Sequence, residues 1–389
     1  MPTKMWDPIR RFQSTNIDAR AAVREFRDGV WQADLAGVLF FCSSTYPLDE
    51  IAAEMARQFP GVPVFGCTTA GEIGPEGYLS HSLSGFSLPG DSFAVVGRLA
   101  ANLQQFELLS ARAFVQRQLV ELDNRTALRP QMTNRFALAL IDGLSVREEL
   151  VARAFQSALD DICLIGGSAG DDLAFTRTHV YANGQFHHNA AAVILIATSR
   201  PFRALKVQNF VPMAERLVVT KAETERRIVQ EINGLPAVEE YARVIDADPQ
   251  NLSPATFAEA PIVVLLAGTY YVRAIQSANP DGSLTFYCAI DEGMVFRVAS
   301  MTDAVANLSA SLHDIRDAVG FPEILIGFDC ILRKFNIANK SLVGEIESVL
   351  NDNNVVGFSC YGEQYNGIHV NYTLTGIAIG GVPEGNDNG

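Results

Sequence analysis

A chain of 389 residues with 48% hydrophobic and 19% charged side chains can build a large core and lacks the composition of a disordered protein. Its 44 acidic against 30 basic side chains leave a net charge of −14, which excludes a broad phosphate-tracking surface and sets nucleic acid aside as a partner. Apolar runs such as AAAVILIA (190–197) fall far short of the roughly 20 residues that a spanning helix needs, so no membrane partner is expected either.

The length suggests two or three domains. The opening stretch, MPTKMWDPIRRFQSTNIDAR, has no apolar run like that of a signal peptide. Six cysteines (42, 67, 163, 288, 330, 360) lie far apart, form no CxxC pair and mostly sit in apolar runs. That is the pattern of reduced thiols in a cytoplasmic protein.

In chain order, GVLFFCSS (37–44) reads as a strand, and Pro47, Asp49 and Glu50 open a helix that runs to about residue 59. VPVFGCTT (62–69) is the next strand. HSLSGFSL and SFAVVGRL read as an antiparallel pair joined by Pro-Gly-Asp, and RFALALIDG (135–143) as a further strand. Ser145 with Glu148 has the spacing of a capping box before a helix through Val151, Phe155 and Leu159. CLIGGSAG, THVYANG and HNAAAVILIA complete the first half, with Asn183-Gly184 as a hairpin turn.

FRALKVQNF and LVVTKAE begin the second half, and Pro236 opens a helix. PIVVLLAG is a strand, and SLTFYCAI with GMVFRVAS reads as a hairpin. A helix through Val305, Leu308, Leu312 and Ile315, the strand ILIGFDCIL and the helix SLVGEIESVL follow. His369 is read as starting the last core strand. The pattern predicts an α+β fold of stacked mixed and antiparallel sheets flanked by helices, in two related halves that meet tightly near residues 199–206.

One phrase recurs. Gly66-Cys67-Thr68-Thr69-Ala70-Gly71-Glu72 and Gly357-Phe358-Ser359-Cys360-Tyr361-Gly362-Glu363 are both G-x-[ST]-x-x-G-E after an apolar strand. Gly166-Gly167-Ser168-Ala169-Gly170-Asp171 is a looser third copy. Glycines, hydroxyls and a carboxylate together suit a strand end that must turn sharply. A reused structural turn is the plain explanation. Three such turns converging on a crevice would instead offer Thr68, Thr69, Glu72, Ser168, Asp171, Ser359, Tyr361 and Glu363 to a ligand.

VPVFGCTTAGEI, LIGGSAGDD with THVYANGQFHHNAAAVILIA, and GFSCYGEQYNGIHVNYTLTGIAIG resemble the signature stretches of FIST proteins. VTKAETERRIVQEINGLPAVEEYARVI and ILIGFDCILRKF resemble the body of the FIST C-terminal domain. The resemblance implies an N-terminal extension (1–29), a FIST N-terminal domain (30–202), a FIST C-terminal domain (203–380) and a polar tail (381–389). It also implies an intracellular ligand-sensing module in signal transduction. A stand-alone chain of this kind is similar to the NosP group of haem-containing nitric oxide sensors, which regulate a partner histidine kinase. A homo-oligomer is compatible with that reading.

A haem sensor needs an axial ligand, usually a neutral histidine in an apolar pocket. His188 and His187 rank first, His369 next and His81 behind them, while His179 and His313 read as surface residues. One of the first three would hold the iron of haem b. The alternative is a module that binds a small organic ligand such as an amino acid without haem. A hydrolase using Ser168 is a distant third, because GGSAG is followed by a hairpin pattern and not by the helix of a nucleophile elbow.

Overall fold

The computed structural model describes residues 7–266 and 268–381, so all but the first residue of the polar tail lies outside it. Among the described residues the strands form four sheets, three of six strands and one of nine. The three six-stranded sheets repeat one construction: edge strand, helix, strand, helix (two short helices in the third), strand, hairpin, closing strand.

The first repeat runs through strand Arg10–Ser14, helix Ala19–Val30, strand Leu35–Ser43, helix Leu48–Gln58, strand Val64–Thr69, the hairpin Glu72–Gly74 and Gly77–Tyr78, and strand Leu83–Pro89. The second follows the same order from Phe93–Ala101 to the closing strand Ala190–Thr198. The third starts with Phe202–Gln208 and resumes at helix Ala304–Val319, ending on Thr373–Gly380. Between these two elements the nine-stranded sheet, residues 210–301, is inserted.

The period-2 pattern of the central strands explains the layering. In Leu35–Ser43, Leu39 and Phe41 face a core shared by all three repeats, while Val38, Phe40 and Cys42 face the helices of the first repeat. Phe136, Leu138 and Leu140 in the second repeat, and Ile324, Ile326 and Phe328 in the third, occupy the same shared core. Strands buried on both faces read as continuous apolar runs, which is why GVLFFC and RFALAL show no polar alternation. Phe358 closes the centre, with its ring 4.7 Å from Phe41 and 5.5 Å from Phe328.

Each hairpin leaves its own repeat. The first pairs Ile73 with Gly357 and joins the third sheet. The second, Val180–Ala182 with Gln185–His187, pairs Val180 with Cys67 and joins the first sheet. The third, Glu363–Tyr365 with Ile368–Val370, pairs Glu363 with Gly167 and joins the second sheet. The exchange is cyclic, and it interlocks three repeats of one fold.

The α+β expectation holds, but several readings change. What looked like two related halves is three related repeats. Residues 10–30 are the edge strand and first helix of the first repeat and not an extension. Leu83–Pro89 and Phe93–Ala101 do not pair, because the closing strand of one repeat and the edge strand of the next enter different sheets. Leu284–Phe286 and Val295–Met301 share the nine-stranded sheet but are separated there by Leu217–Glu223 and Ile228–Ile232. The Ser145 capping box does not form: the helix starts at Glu148 with Arg147 at its cap, and Ser145 accepts the Arg147 amide at 3.3 Å. His369 lies in the exchanged hairpin and not in the closing strand.

Candidate functional site

The three recurring phrases meet, and they are joined edge to edge. The Ala70 amide donates to the Ser359 carbonyl at 2.9 Å and the Ser359 amide to the Gly71 carbonyl at 2.7 Å. The Ser168 amide donates to Gly362 at 2.8 Å, and Tyr361 donates back to Ser168 at 3.1 Å. The ring closes through the Gly170 amide, which donates to the Thr68 carbonyl at 3.0 Å. The glycine that heads each phrase is imposed by close approach. A Cβ on Gly66, Gly166 or Gly357 would stand 2.4, 2.1 or 1.7 Å from a carbonyl oxygen of the neighbouring strand.

The convergence fills its own centre. Thr68, Thr69, Glu72, Ser168, Ser359 and Glu363 are fully buried and Asp171 nearly so, whereas Tyr361 is half-buried. Glu72 accepts from the hydroxyls of Thr69 and Ser82 and from the Ser82 amide. Glu363, its counterpart, accepts from Thr373 at 2.7 Å and from the Cys360 thiol at 3.3 Å. Burial pushes the Glu72 carboxyl up to about 7 and the Glu363 carboxyl up to about 8. Ser168 accepts from the Gln364 side-chain amide at 2.8 Å and is followed by a loop, so the setting of a nucleophile elbow is absent.

Glu363 keeps its proton in the folded chain up to about pH 8, while an unfolded glutamate releases it near 4.3. Its stabilising contribution is complete below the unfolded value and is lost as pH rises through about 8, by up to about 1.4 kcal/mol per pH unit. Glu363→Gln is therefore expected to flatten the fall in melting temperature between pH 5 and 8. Parallel pH profiles for variant and parent would refute this.

Beside the ring, where the second repeat, the third repeat and the inserted sheet meet, lies a cavity of about 480 Å³. Tyr361 is the member of the recurring phrases that reaches it. The Tyr361 hydroxyl donates to Asp171 at 2.6 Å and accepts the Leu173 amide at 3.0 Å. Asp171 also accepts the amides of Phe175, Thr176 and Arg177. Burial alone would raise the Asp171 carboxyl, but the Tyr361 hydroxyl and these amides hold it below its ordinary value. This network folds a loop with positive φ at Asp172, Leu173 and Phe175, and it lays Phe175 over Tyr361 at 4.8 Å and 14°. On its other side Phe175 faces Tyr287 of the inserted sheet at 6.4 Å.

The polar wall is an ion triad. Arg227, in a left-handed conformation, reaches Glu148 at 2.9 Å and Glu149 at 3.0 Å and also donates to the Tyr287 carbonyl. Burial pushes Glu148 up to about 7, against the pull of Arg227. Asn371 also lines the cavity; it is 2% exposed and its Oδ1 has no partner among the described residues. Phe175, Arg227, Tyr287 and Asn371 escaped the reading of the sequence. Glu148 was visible there, but only as a capping residue.

The ranked histidines do not gather. His188 is exposed, and His187 is half-buried in the second hairpin with its Nε2 unpartnered. His81 is exposed beside Thr45, His179 is half-buried where a surface position was expected, and His313 is exposed. His369 is buried, and its Nδ1 faces the Gln364 side-chain amide at 3.2 Å. Its Nε2 lies 2.5 Å from where a Cβ on Gly362 would stand. Burial pushes this imidazole down to about 4, so it is neutral at pH 7. Its Nδ1 is engaged by Gln364, and no histidine lines the 480 Å³ cavity. These residues do not fit an axially ligated haem there.

Residues 36–235 match the FIST N domain and residues 237–366 the FIST C domain. A sensory module of signal transduction is the class that these domains define. The chain belongs to the FIST family. No curated protein matches it, and among the described residues no helix is long and apolar enough to cross a membrane.

Proposed function

We propose that this protein is a non-enzymatic sensor whose small organic ligand occupies the cavity between the second and third repeats and the inserted sheet. The observation that carries the reading is the wall of that cavity, where Phe175 is stacked on Tyr361 beside a buried acceptor, Asn371 Oδ1, that lacks a donor among the described residues. Concave sites with apolar walls and a few convergent polar groups are the common form of ligand pockets. A flat ring bearing an N–H or O–H group would satisfy both features. Such a ligand would bridge the repeats and the inserted sheet, and a partner such as the histidine kinase implied by the resemblance would read that closure. Haem and nitric oxide are not part of this reading, because the cavity offers iron no histidine.

The test is a thermal-shift screen of small ring compounds, amino acids included, followed by calorimetry. A true ligand is expected to bind at least tenfold more weakly to Phe175→Ala and to Asn371→Ala. Phe175 is 44% exposed, so its truncation leaves the core intact. A compound that binds both variants as it binds the parent would place the sensory site elsewhere.

A further inference from the structure

We infer that a second site, on the far side of the Arg227 triad, binds a small carboxylate with a short apolar tail. A separate cavity of about 370 Å³ lies there, between helix Glu148–Leu159, the exchanged hairpin of the third repeat and the inserted sheet. Arg273 is 5% exposed, yet its Nε has no partner among the described residues, and its Nη1 donates only to the His369 carbonyl at 3.2 Å. A buried guanidinium with an unused donor edge matches the two oxygens of a carboxylate. Arg153, from the helix opposite, also lines the cavity, is exposed and makes no ion pair or hydrogen bond with any described residue.

Two acidic groups also face this cavity, Glu149 and Asp291. Glu149 is already committed, accepting the Ala289 amide at 2.7 Å and Arg227 at 3.0 Å. Asp291 sits exposed at the rim, where solvent screens it. His369 is neutral and supplies its carbonyl to Arg273. Arg153 and Arg273 are thus the lining cations that make no ion pair with a described residue, while Glu149 is held by Arg227. Leu266, Met294 and Ile368 supply the apolar remainder of the wall, each half-buried. An inorganic oxyanion would leave that surface uncovered, whereas a short alkyl carboxylate covers it.

The experiment titrates the full-length protein with sodium butyrate, sodium phosphate or sodium chloride at matched ionic strength, by calorimetry and thermal melting. Butyrate is expected to bind saturably and raise the melting temperature. Arg153→Gln and Arg273→Gln are each expected to weaken binding at least tenfold. Arg153 is on the surface, so its variant folds even if Arg273→Gln does not. Phe175→Ala, which damages only the other cavity, is expected to leave butyrate binding unchanged, and this separates the two sites. Absence of saturable binding, equal affinity in Arg153→Gln, or saturation by phosphate but not butyrate would each overturn the assignment.

Discussion

Gly362→Ala is expected to lower the melting temperature by ~10 °C or to prevent folding, a loss of ~3–4 kcal/mol. Gly362 sits at φ +108, which L side chains rarely adopt. Its added Cβ would stand 2.3 Å from His369 Cε1, 2.5 Å from His369 Nε2 and 2.9 Å from Asn371 Nδ2. Withdrawal is costly, because His369 is buried and held through Nδ1 by Gln364, and Asn371 is only 2% exposed. Gly61→Ala is the control: φ is +76 but nothing lies within 4 Å, so backbone strain of about 1 kcal/mol is all it meets. Thermal melts of the two variants measure the difference, and equal losses would show that the collision is relieved.

Arg227→Met is expected to cost ~3–5 kcal/mol, because it leaves Glu148 and Glu149 partly or wholly buried without their cation. Loss of the guanidinium raises the Glu148 carboxyl further and lifts that of Glu149, which Arg227 helps to hold below its ordinary value. The folded variant then binds more protons than the unfolded chain from about pH 4.5 upward, so its deficit grows as pH rises and shrinks toward pH 5. Adding Glu148→Gln removes the more buried charge and is expected to recover part of the loss at pH 8. Chemical denaturation at pH 5 and pH 8 tests both statements. A deficit that does not change with pH would show that the triad acts through packing and not through charge.

The secondary structure was largely legible because each buried strand is an apolar run and each outer helix carries a one-sided stripe. The strand partners were not. HSLSGFSL and SFAVVGRL are adjacent and both apolar, and nothing local records that one closes a sheet while the next opens another. The repeated phrase correctly marked three turns that meet, but composition cannot distinguish hydroxyls that face a ligand from hydroxyls that face one another. The histidines misled for a related reason. His369 pairs with Gln364 where Tyr78 pairs with Ile73 and Phe186 with Tyr181, so its counterparts are Tyr78 and Phe186 and not His81 or His187. The residues that build the main cavity come from separate segments. Arg227 is set by a left-handed turn and Phe175 by amides gathered on Asp171, and neither leaves a periodic trace.

The cyclic exchange of hairpins also governs how the chain must be made. The first sheet is completed by residues 180–187, but the second waits for residues 363–370. Until then Leu164–Ser168 keeps a bare edge, an open template for unwanted pairing. A ribosome that has released the whole FIST N segment has thus delivered an unfinished object. The changeover between the two family segments at residue 236 marks two stretches of sequence, not two bodies able to fold in turn. Folding of the second sheet must then wait until the third hairpin has been made, with an interval in which its edge stays open.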